Sequence, residues 1–166
     1  MTALGKTTNG TGESFSSAAK TVVSKHTASA TENIISGAAR LWVDTGTASV
    51  RMCVYADSAG DPGALVSISD AEIISNTTEA EIPFTFPGTD GVVNGSDYHI
   101  GFTWPDPGTN NIYWSRDTTA SQAKQNSSDA ADPFGTPGSA LSGPVDAYVT
   151  TSTAAPADSG AFFEFF

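Results

Sequence analysis

The sequence is poor in cysteine. Cys53 stands alone among 166 residues, which excludes an internal disulfide framework. Its place inside an alternating apolar segment marks it as a small buried hydrophobe rather than a nucleophile. Histidine is nearly as scarce. His26 and His99 are far apart in the chain, and with one cysteine they leave a zinc site short of ligands. The phase of His99, opposite to Tyr98 and Ile100, puts it on the wetter face of its strand and favours a solvated or structural role over a general base. No serine sits in a G-x-S-x-G elbow. No catalytic residue and no cofactor are expected, and the chain reads as a non-enzyme. Basic residues are few as well, 7 against 18 acids, for a formal net charge of −11. That balance argues against nucleic acid and against an anionic membrane surface as partners. No apolar run approaches the roughly 20 residues of a membrane-spanning helix, so no membrane insertion is expected. The opening MTALGKTTNGTG lacks the apolar stretch of a secretory signal, which points to synthesis without export.

What the chain has in quantity is turn chemistry between short alternating segments. The segment Arg40–Ser69 organises the rest. It reads as strand, turn, strand, turn, strand, three antiparallel strands in a meander. From Ser49 to Ala56, Val50, Met52 and Val54 fall on one face and Arg51, Cys53 and Tyr55 on the other, the period of a two-faced strand. Asp57 to Gly63 collects Asp, Gly and Pro, each with its own way of making a turn. Asn33–Ser36 is an apolar patch that Gly37 breaks. Ala80–Phe86 is a strand that Pro83 pushes toward an edge. Asn94-Gly95 is the pair that two-residue hairpins favour. Tyr98–Trp104 and Ile112–Arg116 are further strands, as is Val145–Thr151. Residues 120–131 permit a helix but have no apolar stripe to bury, so loop or edge strand is preferred. The total is eight to ten short strands with turn signals every 8–12 residues, an all-β chain of β-sandwich or jelly-roll type. The chain divides into an N-terminal arm (1–13), the sandwich (14–150), a Ser/Thr/Ala/Pro connector (151–160) and a closing strand (161–166).

Several of these segments also fall in a familiar order. Tyr55-Ala56-Asp57 ends one strand, Gly60-Asp61-Pro62-Gly63-Ala64-Leu65 forms the turn, and Tyr98-His99-Ile100-Gly101 opens a later strand. Asp132-Pro133-Phe134-Gly135 and Ser142-Gly143-Pro144 follow. Over residues 14–150 the chain resembles a jelly-roll module of bacteriophage tail and virion-surface proteins and of some bacterial surface proteins. The resemblance implies a structural or glycan-contacting role on a particle surface, as a minor tail protein or a capsid decoration protein. It implies other virion proteins as partners, synthesis in the host cytoplasm, and no catalytic residue. The competing reading is a carbohydrate-binding module of a bacterial surface or secreted protein.

Three groups of residues are candidates for contact. Trp104 closes one strand, and Tyr113-Trp114 opens the next across a Pro-Asp-Pro-Gly loop. Flat aromatic faces beside Asp106, Asn110, Asn111, Arg116 and Asp117 suit sugar rings, which stack through their C–H faces while polar groups take the hydroxyls. Against this stands a core role for both tryptophans. Asp57 and Asp61, in one turn, are calcium candidates, with Asp129 and Asp132 a second pair. Here turn chemistry is preferred to a metal. Finally, the closing strand AFFEFF places Phe162 and Phe166 on one face and Phe163 and Phe165 on the other. Both faces then need cover, which points to a neighbouring subunit and a homo-oligomer.

Overall fold

The computed structural model describes residues 1–105, 110–118, 121–126, 130–138 and 141–153, and among these it is all-β with no helix. Fourteen strands form in the described residues. The first half of the chain gives β1 (Thr2–Gly5), β2 (Gly12–Ser16), β3 (Lys20–Thr27), β4 (Glu32–Val43), β5 (Ala48–Ser58), β6 (Asp61–Ile68) and β7 (Glu72–Ile74). The second half gives β8 (Ala80–Thr85), β9 (Gly91–Val92), β10 (Asp97–Trp104), β11 (Ile112–Arg116), β12 (Ser121–Asn126), β13 (Leu141–Ser142) and β14 (Ala147–Ser152).

They make two antiparallel sheets that share one core. In the first sheet β4 is central, with β8 and β9 end to end along one side and β14 and β11 end to end along the other. β1 pairs with β14 and β2 with β11, so β1 and the start of β2, within the residues 1–13 read from sequence as an arm, line the sheet's outer edge. The loop between β1 and β2 is tied down by Lys6, whose Nζ lies 3.0 Å from Asp146 and 3.4 Å from Asp117. The second sheet runs β13-β12-β3-β10-β5-β6, with β7 continuing the line of β6 along β5. Strands lying end to end account for the excess over the eight to ten anticipated.

The meander expected over residues 40–69 forms only in its second half. β5 and β6 are an antiparallel hairpin in the second sheet, but residues 40–43 are the end of β4 in the first. The turn at Thr45–Thr47 therefore crosses from sheet to sheet. Gly37 is not a breaker either; β4 runs straight through it. A Cβ at Gly37 would stand 2.8 Å from both Met52 Sδ and the Tyr148 carbonyl oxygen, so glycine lets the two sheets approach there. Gly101 in β10 is tighter still, because a Cβ would meet the Val22 carbonyl.

Alternation sets the core. Val50, Met52 and Val54 of β5 meet Ile100 and Phe102 of β10, with Leu41 and Val43 of β4 opposite. The other face of β5 is also covered. Residues 130–138 cross the outside of the second sheet, where Phe134 closes over Val23, Cys53 and Tyr55, its ring 5.1 Å from that of Tyr55 and edge-on. Hydrogen bonds hold this crossing to the sheet: Phe134 N–H to the Gly63 carbonyl at 3.0 Å, Leu65 N–H to Asp132 Oδ1 at 2.9 Å, and Gly138 N–H to the Gln125 carbonyl at 2.7 Å. The connector beyond residue 153 and the closing strand with Phe162, Phe163, Phe165 and Phe166 lie outside the described residues.

Candidate functional site

On the outer face of the first sheet three aromatic rings stand in a row across three strands. The register places Tyr113 of β11 directly opposite Phe15 of β2 on one side and Trp42 of β4 on the other. Directly opposed residues on one sheet face are close enough for aromatic contact. The Phe15 and Tyr113 centroids are 5.3 Å apart and tilted by 30°; those of Tyr113 and Trp42 are 5.5 Å apart and inclined by 14°. At these spacings near-parallel rings are offset rather than eclipsed, which leaves part of each face uncovered. The neighbours in each strand point inward: Leu41 and Val43 flank Trp42, and Ile112 and Trp114 flank Tyr113, all in the core. Phe15 is 61% exposed, and Tyr113 and Trp42 are half-buried.

Polar groups frame the strip at both ends. Arg40, two residues from Trp42 on the same face, is 3.2 Å from Glu79 and 3.7 Å from Glu81. The Tyr148 hydroxyl donates to Glu81 at 3.4 Å, and burial, with the Glu81 charge, raises the phenol's pKa. At the Phe15 end a groove of about 290 Å³ is lined by Glu13, Ser14, Phe15, Lys20, Trp114 and Gln125. Lys20 there donates to Gln125 Oε1 at 3.2 Å.

This arrangement revises the sequence-based candidates. Trp104 and Trp114 are core residues, 0% and 1% exposed, with centroids 5.6 Å apart and each 5.9 Å from Phe102. The Trp104 indole N–H donates to the Ala18 carbonyl at 2.7 Å. Neither ring can stack on a sugar without opening the sandwich. Tyr113, which alternates with Trp114, faces out and keeps its place. Asn110 and Asn111 serve the turn beside β4: Asn110 Nδ2 donates to the Thr47 carbonyl at 2.8 Å, and Asn111 N–H to Asp44 Oδ1 at 2.9 Å. Arg116 donates to Ser14 and to the Asp117 carbonyl, the latter at 3.2 Å. Asp106 lies outside the described residues. Phe15 and Trp42 were missed. Trp42 could have been found from its phase, opposite to Leu41 and Val43; Phe15 becomes a partner only once β2 is known to pair with β11.

No family model, curated protein or solved structure matches the chain significantly.

A second cluster occupies the outer face of the other sheet. Asp57 Oδ1 lies 2.9 Å from His99 Nε2 and 3.2 Å from Lys25 Nζ, and Lys25 is 2.8 Å from Asp97. Asp57 Oδ2 takes the Gly60 N–H at 3.0 Å, the turn role expected of it, and Asp61 lies 2.9 Å from Lys124. Burial works to raise the Asp57 pKa, but the hydrogen bonds from His99, the Gly60 N–H and Lys25 together hold it below the usual carboxylate range. His99 is on the face its phase required, yet it is 1% exposed rather than wet. Burial pushes its pKa down against the pull of Asp57. Asp132, of the second proposed calcium pair, holds the Leu65 N–H, and Asp129 lies outside the described residues. Among the described residues no three His, Cys, Asp or Glu side chains gather as a metal site.

Proposed function

We propose that this chain is a non-enzymatic structural protein of a bacteriophage virion, a minor tail or capsid decoration protein of jelly-roll type. On the particle surface it contacts host polysaccharide through the Phe15–Tyr113–Trp42 strip. Its other partners are virion proteins and further copies of itself. The observation that carries the reading is the strip: three rings in register on a face that the described residues leave partly exposed. Aromatic side chains bring a large apolar area at the cost of few rotatable bonds, and partly uncovered faces suit the C–H side of a pyranose. The jelly-roll assignment rests on the sequence resemblance. It is supported by a chain that passes between the two sheets at most of its connections, as β3, β4 and β5 do in succession.

The test is depletion from solution by insoluble cellulose, chitin and bacterial cell-wall sacculi. The protein should be depleted by at least one of them, and Trp42→Ala and Phe15→Ala should each reduce depletion at least tenfold while both variants keep the β-sheet circular dichroism of the unaltered chain, Phe15→Ala at a cost of at most about 1 kcal/mol. If no polysaccharide depletes it, and Phe15→Ala instead lowers the mass seen by light scattering, the strip is an assembly contact and the polysaccharide reading is wrong. A carbohydrate-binding module outside a virion would use the same strip; it would be depleted in the same way but would not co-sediment with particles.

A further inference from the structure

We infer that the strip selects a linear, uncharged polysaccharide, bound across the strands and contacted along several sugar units; this rests on the polysaccharide reading and narrows it. The row of rings crosses β2, β11 and β4, so its long axis is perpendicular to the strands. Two successive spacings, 5.3 and 5.5 Å, separate its ends. One pyranose can cover one ring face, so a row of three rings is matched by a chain and not by a single sugar. The groove lined by Glu13, Lys20 and Gln125 extends the path beyond Phe15.

The charges around this path give an anionic chain no net attraction. Near the Trp42 end two carboxylates, Glu79 and Glu81, share the single guanidinium of Arg40. At the Phe15 end the groove holds one acid and one base, Glu13 and Lys20, so its charges balance, and one of the three Lys20 N–H donors goes to the neutral Gln125 amide. Tight recognition of a uronate, sulfate or phosphate uses bases in excess of the local acids, Arg above all, and the path has no such excess. Behind this local balance stands the net charge of −11, which repels a polyanion over the roughly 8–10 Å reached at ordinary ionic strength. What the frame does offer is hydrogen-bond acceptors, the carboxylates of Glu13 and Glu79, for the hydroxyl groups of a neutral sugar.

Affinity electrophoresis in native gels tests this with hydroxyethylcellulose, galactomannan and glycol chitin as neutral polymers, and hyaluronate and polygalacturonate as anionic ones. At low salt at least one neutral polymer should retard the protein, and both anionic polymers should act at least tenfold more weakly. The monosaccharides of a retarding polymer should fail to compete, whereas its tetramers to hexamers should release the protein. Retardation by an anionic polymer equal to the neutral ones, or competition by a monosaccharide at the same concentration as its hexamer, overturns the inference while leaving the polysaccharide reading standing. If no polymer of either class retards the protein, and depletion by insoluble polysaccharide also fails, both are wrong.

Discussion

Truncating Trp104 to alanine separates a core role from a binding role by magnitude. The side chain is fully buried between Phe102 and Trp114, and its N–H holds the Ala18 carbonyl. Removing a buried tryptophan costs about 3–5 kcal/mol through lost transfer energy and the cavity left behind. Loss of the bond to Ala18 adds about 1 kcal/mol. Against a total stability of about 5–15 kcal/mol, such a loss is severe. With a urea slope of about 2 kcal/mol/M, the denaturation midpoint should fall by about 2 M or more. Trp104→Phe keeps most of the volume and loses the hydrogen bond, so it should fall in between. Phe15→Ala, at a ring already 61% exposed, should cost at most about 1 kcal/mol. The assay is urea denaturation of all three variants, followed by intrinsic fluorescence and circular dichroism. A Trp104→Ala midpoint no lower than that of Phe15→Ala would refute the assignment of Trp104 to the core.

Three further outcomes follow from local geometry. His26 has its pKa lowered from 6.5 to about 4 by burial and by the charge of His99, and His99 is lowered as well. A depressed histidine leaves the folded state with fewer protons than the unfolded one, so stability is full above pH 6.5 and falls as pH drops toward 4, by about 3 kcal/mol at most for His26; urea midpoints that stay level from pH 7 to pH 4.5 would contradict this. Ala59 has a positive φ of 56° in the turn before Gly60, at 95°, so Ala59→Asn should relieve strain and raise the melting temperature by about 2–4 °C, and a lower melting temperature would count against the turn geometry. The carboxylates of Asp57 and Asp61 are occupied by Lys25, His99, the Gly60 N–H and Lys124, so thermal melts in excess calcium and in chelator should coincide, whereas a rise of several degrees with calcium would mean that a cation displaces these partners.

The fold class was legible because alternation and turn residues carry it locally. β5 and β10 could be read from Val50, Met52, Val54 and from Tyr98, Ile100, Phe102 without knowing their partners. What the sequence left open was which sheet each strand joins. A turn such as Thr45–Thr47 has the same composition whether it closes a hairpin or crosses between sheets. Gly37 likewise gives no local sign that it is spared for a close approach by Met52. The site was half legible for the same reason. Tyr113 was found, but its adjacent Trp114 was grouped with it although period-2 alternation sends the two to opposite faces. Phe15 and Trp42 lie 98 and 71 residues from Tyr113 in sequence; pairing of β2 and β4 with β11 joins them in space. His99 was placed on the correct face, but the cover of that face by a distant crossing segment could not be seen.

The central claim, that the strip and not the buried tryptophans meets polysaccharide, is tested most directly by the indole N–H signals in a two-dimensional nitrogen–proton NMR spectrum. The chain has 3 tryptophans, so each signal can be assigned by single substitution to phenylalanine. Titration with the oligosaccharide of a polymer that binds should shift the Trp42 signal progressively and leave those of Trp104 and Trp114 in place. Shifts confined to Trp104 and Trp114, or binding that moves none of the three while Trp42→Ala binds as well as the unaltered chain, would contradict the account.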